Sequence, residues 1–104
     1  DLGTRQLRLA RGIGGLSGPA VKPVAMRCVW QAANAVSIPV IGLGGISSAE
    51  DALEFILAGA HAVQVGTATL VRPDTAFRIA ADLPDLMREL GVDSLDALRG
   101  TLQC

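Results

Sequence analysis

Three stretches of the 104-residue chain carry the hydrophobic periodicity of helices. From Pro23 onward Val24, Cys28, Ala32 and Val36 recur every four residues, which predicts a helix with Pro23 in its first turn. After Ser47, the apolar positions Ala52, Leu53, Ile56 and Leu57 form a second helical stripe, ended by Gly59. Thr75 to Leu90 reads as a third helical region, interrupted by Pro84, and Ser94 caps a last turn in "LDALRG". Between these helices lie short β-branched runs, "SIPVIGL" (Ser37 to Leu43) and "HAVQVGTA" (His61 to Ala68), which have the continuous apolar character of fully buried strands. "TRQLRLARG" (Thr4 to Gly12) alternates instead, as a half-exposed strand does.

The resulting order is β-loop-α three times over, and such alternation implies an α/β fold with a parallel sheet covered by helices. Two or three parallel strands make a poor independent sheet, because each needs neighbours and cover on both faces. Composition points the same way. Half of the residues are hydrophobic and only 18% are charged, against about 25% charged in an ordinary soluble chain. Mean hydropathy is +0.43. So apolar a short chain is expected to be covered by something else, and with Asp1 in first place the sequence reads as a piece of a larger protein; this favours the last third of a (β/α)8 barrel, with an independent open sheet as the alternative that the physics also allows.

Charge and residue type exclude several functions. A net charge of −1 and 3% aromatics give neither the basic face nor the stacking platform of a nucleic-acid binder. No apolar run reaches the roughly 18 residues of a membrane span, and no basic start leads into an apolar run as in a secretory leader. Cys28 and Cys104 are far apart in sequence, so a reduced, cytoplasmic protein is expected, with Cys28 packed on its helical stripe. One histidine, His61, and two distant cysteines do not make a metal site.

Candidate chemistry gathers instead at glycines that follow strands: "GGLSG" (Gly14 to Gly18), "GLGG" (Gly42 to Gly45) and "VGT" (Val65 to Thr67). Glycine allows a backbone to approach an anion, and amides at the start of a following helix favour one. The same glycines serve equally well as plain turn residues. There is no Lys or Arg between Cys28 and Val71, so a phosphate held there needs backbone amides and the Thr67 hydroxyl. Ser47 and Glu50 fit a capping box, and Lys22 with the early arginines reads as solvated surface. "GLGGIS" lacks the third glycine of a dinucleotide fingerprint, "GLSGP" has Pro19 where a nucleophile elbow needs glycine, and no P-loop lysine motif occurs.

Taken together, "DLGTRQLRLARG", "GGLSGPAVKPVAMR" and "IPVIGLGGISSAEDALEFILAGAHAVQVGTATL" resemble the C-terminal part of the FMN-binding catalytic subunit of class 1B dihydroorotate dehydrogenases, from Asp1 to about Gly100. The resemblance implies that residues 1–104 are the last third of an FMN-binding TIM barrel. It also implies oxidation of dihydroorotate to orotate in pyrimidine synthesis. Ser17 and Gly18 would lie beside the flavin, Gly44, Gly45, Gly66 and Thr67 would bind its phosphate, and "SSAED" would cap a helix whose N-terminus faces that phosphate. Arg11 and Ile13 stand where relatives often carry small or polar residues.

The catalytic cysteine, the flavin lysine and the substrate asparagines of the family belong to earlier barrel segments, and neither Cys28 nor Cys104 matches the cysteine's motif, so no catalytic residue is assigned. Electrons would leave through a partner subunit carrying FAD and an iron-sulfur cluster to NAD, within an assembly that is also a homo-oligomer. The 104-residue chain alone would then be inactive. Two alternatives stand beside it: the pyrimidine-reducing barrel of dihydropyrimidine dehydrogenase, which shares the glycine motifs, and a truncated, noncatalytic α/β module that binds phosphate or a protein partner through its exposed sheet edge.

Overall fold

A computed structural model describes residues 1–103. Its elements are α1 (Lys22–Ala35), β1 (Ile41–Leu43), α2 (Ala49–Leu57), β2 (Ala62–Gln64), α3 (Ala68–Val71), α4 (Thr75–Glu89) and α5 (Leu95–Leu98), with a 3-10 turn at Pro19–Val21 leading into α1. β1 and β2 pair in parallel, Ile41 opposite Ala62 and Leu43 opposite Gln64, with α2 as the crossover. The α/β alternation expected from the apolar pattern is present; a closed barrel is not formed by these residues.

The core lies on one face of this pair, where Phe55 and Ile56 of α2 meet Val29 of α1, Ile46, Ala60 and Ile79 of α4. Phe55 is fully buried, and it presses so closely on β1 that a Cβ at Gly42 would stand 2.7 Å from its ring. Glycine at position 42 is therefore a packing requirement. The opposite face, with Ile41 and Leu43, is open, so the expectation of fully buried strands is corrected: among the described residues nothing packs there.

Several other expectations need correction. Thr4 to Gly12 is not a strand; it is exposed, it finds no strand to pair with, and Arg5 takes φ 54°, which breaks an extended run. On α1 the inward residues are Ala25, Met26 and Val29, while Val24 and Cys28 point to solvent. The period is legible there but its phase is not, because Ala and Val occur all round the helix. Pro84 lies within α4 without ending it, as Ile79 and Leu83 pack against the core and hold the helix across the missing hydrogen bond. α3 has no counterpart among the sequence-based expectations.

Helix boundaries follow their capping chemistry. α2 ends with both hydrogen bonds of a Schellman motif, the amide of Ala60 donating to the Phe55 carbonyl at 3.0 Å and that of Gly59 to Ile56 at 2.9 Å. Ser94 caps α5, its hydroxyl accepting from the Ala97 amide. At the start of α2 the capping box sits one residue later than Ser47 and Glu50: Ser48 is the N-cap and Asp51 its partner. Both registers read Ser-x-x-acid, and the backbone selects Ser48 because it, with φ −140° and ψ 170°, takes the extended N-cap conformation. Cys104 lies outside the described residues.

Candidate functional site

All six residues singled out in the glycine loops line one cavity of about 360 Å³. Ser17 and Gly18 come from the segment before the 3-10 turn, Gly44 and Gly45 from the carboxyl end of β1, and Gly66 and Thr67 from the carboxyl end of β2. Leu16, Val21, Ala25, Leu43, Ile46 and Ala68 complete its wall. Parallel pairing of β1 and β2 is what brings the last two loops side by side, since both strands end at the same edge.

The loops approach one another at van der Waals limits. Gly44 has φ 127° and Gly45 φ 75°, conformations that L side chains rarely adopt. A Cβ at Gly44 would stand 2.6 Å from that of Ala25, and one at Gly45 would stand 2.8 Å from the Gly18 carbonyl oxygen and from Lys22 Cβ. Gly18 in turn lies near the Thr67 methyl group. Among the described residues, no hydrogen bond within the chain uses the amides of Gly45, Gly66 or Thr67, or the Thr67 hydroxyl. Four free donors at one small-residue cavity suit an acceptor-rich anion, because successive backbone amides in turns form anion-binding concavities.

Sequence reasoning missed the residues behind this cavity. The carboxylate of Asp51 accepts from the Ser47 amide at 2.8 Å, the Ser47 hydroxyl at 2.9 Å and the Ser48 amide at 3.1 Å through one oxygen. Its other oxygen accepts from Lys22 Nζ, which also pairs with Glu54. Lys22 is thus not solvated surface but a tie between α1 and α2. A signal did exist: Lys22 is close in sequence to a long segment without any cation. Its partner, however, lies 29 positions away in sequence. The Ser47, Ser48 and Asp51 amides at the start of α2 are consequently taken by its own serine and aspartate, whereas those of Gly45, Gly66 and Thr67 are not used within the chain.

Burial pushes the Asp51 carboxyl up, but the hydrogen bonds from Lys22 and Ser47 outweigh it and hold Asp51 below the usual carboxylate value. Burial likewise works against the Lys22 ammonium, and its hydrogen bonds to Asp51 and Glu54 raise it on balance. For the depressed carboxylate the stabilisation is present above the ordinary aspartate value of about 3.9 and is lost as pH falls through the lower folded value. For the raised lysine it is present below about 10.4 and is lost as pH rises through the higher folded value. Urea unfolding of the intact protein and of its Asp51→Asn variant is expected to differ at about pH 7 and to converge as pH falls through the lowered Asp51 value. Equal midpoints at neutral pH would contradict this.

A second groove of about 420 Å³ lies between the start of α2 and α4, lined by Arg72 and Arg78 and by Glu50, Asp82, Asp85 and Glu89. Its carboxylates outnumber its two arginines, and Arg78 faces Asp74 at the start of α4, so it offers no comparable anion site.

A family model described as dihydroorotate dehydrogenase matches residues 1–87. The chain belongs to the dihydroorotate dehydrogenase family. Within that family it is 67% identical over 103 residues to the dihydroorotate dehydrogenase B (NAD(+)) catalytic subunit of Solidesulfovibrio magneticus, covering 99% of this chain and 34% of the relative. It is 60% identical, over the same shares, to the catalytic subunit of that name from Maridesulfovibrio salexigens. The chain therefore spans about a third of the length of the curated relatives it matches. Its fold is similar to the crystal structure of the dihydroorotate dehydrogenase of Eimeria tenella in complex with ferulenol, with a TM-score of 0.79 and 32% identity over 85% of this chain and 24% of that one. No helix among the described residues is long and apolar enough to cross a membrane.

Proposed function

We propose that this dihydroorotate dehydrogenase family chain forms the last third of a (β/α)8 barrel and supplies its FMN phosphate-binding loops. The observation that carries this reading is the single cavity shared by Ser17, Gly18, Gly44, Gly45, Gly66 and Thr67, with unused amides on two of its loops. The fit is chemical as well as spatial. Gly44 and Gly45 hold a backbone that no side chain could follow, and the donors converge from two strand ends, where ligands of parallel α/β proteins bind. Lys22 is committed to Asp51 and Glu54, so amides and the Thr67 hydroxyl hold the phosphate and a fixed dipole cradle replaces a counter-cation.

Ser17 and Gly18 would border the isoalloxazine end of the cofactor. FMN, when bound, supplies the two-electron acceptor for oxidation of dihydroorotate to orotate. This segment binds and orients it and contributes no proton-transfer group; Cys28 faces outward on α1, away from the cavity wall. Acid-base groups and substrate contacts would belong to other parts of the barrel, and a partner subunit carrying FAD and an iron-sulfur cluster would take the electrons in a cytoplasmic assembly. The open face with Ile41 and Leu43 is the face that the remaining strands would cover.

The test is anaerobic reduction of the intact, flavin-loaded protein. Dihydroorotate is expected to bleach the visible flavin absorbance and yield one orotate per flavin, while dihydrouracil leaves it unchanged. Bleaching by dihydrouracil alone would replace this reading with that of a dihydropyrimidine dehydrogenase.

A further inference from the structure

We infer that Asp51 is a positioning residue for flavin phosphate recognition, acting through Lys22 and Ser47 to hold the "GLGG" loop in its binding shape. The inference rests on the phosphate reading of the glycine cavity and goes beyond it by naming what keeps the cavity in form. Asp51 touches no cavity wall itself. It joins two elements that do.

Through one oxygen it takes the Ser47 amide and hydroxyl and the Ser48 amide, which fixes the chain two residues past Gly45. Through the other it takes Lys22. Lys22 is also the residue on which Gly45 rests, its backbone nitrogen 3.0 Å and its Cβ 2.8 Å from the position a Gly45 Cβ would take. Gly45 is thus held from both sides by one carboxylate, at the point where the Gly18 carbonyl closes over it.

Charge adds a second consequence. Asp51 and Glu54 stand behind the proposed phosphate site, and Lys22 pairs with both; without it two carboxylates would oppose an incoming phosphate. Asparagine cannot replace Asp51, because it carries one acceptor atom and one donor group, whereas both faces of Asp51 meet donors. In either orientation an NH2 group is set against Lys22 or against Ser47.

The experiment is titration of the intact apoprotein with FMN and with riboflavin, which share the ring and differ in the phosphate, for wild type, Asp51→Asn and Ser48→Ala. Ser48→Ala removes the hydroxyl half of the same capping box and leaves the Ser48 amide and the Lys22 pair in place, so it controls for loss of helix stability. Wild type is expected to prefer FMN. Asp51→Asn is expected to narrow the ratio of the two affinities by about tenfold or more through the FMN value, as loss of hydrogen bonds to a charged group predicts. Ser48→Ala is expected to keep the wild-type ratio. Should Asp51→Asn fail to fold, Lys22→Met removes the α1 arm alone and is expected to narrow the ratio likewise.

An unchanged ratio in the variant beside a clear wild-type preference would overturn the role of Asp51 and leave the phosphate reading intact. So would an equal loss of both flavins, or a Ser48→Ala variant that behaves like Asp51→Asn. No preference in wild type would overturn the phosphate reading and this inference with it.

Discussion

Gly45→Ala is expected to weaken FMN binding by about 10- to 100-fold, the size expected when one or two hydrogen bonds to a charged ligand are lost. The same change is expected to destabilise the fold by about 2–5 kcal/mol, from about 1–2 for an L residue held at positive φ plus about 1–3 for overpacking. Both terms are visible at this position. Its φ is 75°, and the new methyl group would stand 2.8 Å from the Gly18 carbonyl oxygen. Neither neighbour can yield cheaply, because one is backbone and the other, Lys22, is pinned by Asp51. Gly66 offers the internal comparison: a methyl group added there would meet nothing within 4 Å, and its φ is not positive, so Gly66→Ala is expected to leave stability within about 0.5 kcal/mol. Urea unfolding and flavin titration of both variants measure the two effects. Wild-type FMN affinity in Gly45→Ala would contradict the assignment of the loop.

Phe55→Ala is expected to cost about 3–5 kcal/mol, the usual range for removing a buried aromatic side chain. Phe55 is the one large side chain with no exposure among the described residues, and it lies between α2 and β1 with Gly42 against its ring. A cavity there would loosen β1 just before Gly44 and Gly45, so flavin affinity should fall together with stability rather than separately from it. Phe55→Leu, which restores much of the volume, is expected to recover most of both. A loss below about 1 kcal/mol in equilibrium urea unfolding of Phe55→Ala would mean that the core is not organised around this ring.

The contrast between these sites and the rest of the chain explains what can be read from sequence. The second helix is legible because its polar and apolar residues separate cleanly, with Gly59 at its end and acids at its start. The glycine loops are legible because their residue type restricts the backbone directly, and alternation of strands and helices already implies that such loops share one edge of a parallel sheet. α1 reveals its period and not its phase, since alanines and valines surround it. The capping box has two registers one residue apart, and only the backbone geometry at Ser48 separates them. The clasp between Lys22 and Asp51 is invisible in the sequence because it is long-range: no local rule pairs a helix-start lysine with a carboxylate in the next helix. Thr4 to Gly12 fails for the complementary reason, as alternation supplies a strand's faces but not its hydrogen-bond partner.

That the loops after β1 and β2 hold the FMN phosphate is the central claim, and a crystal structure of the intact protein grown with FMN tests it most directly. The expected result is phosphate oxygens within hydrogen-bond distance of the Gly45, Gly66 and Thr67 amides, with Lys22 still paired to Asp51. A phosphate seated elsewhere, such as between Arg72 and Arg78, or one neutralised by Lys22 after release from Asp51, would contradict it.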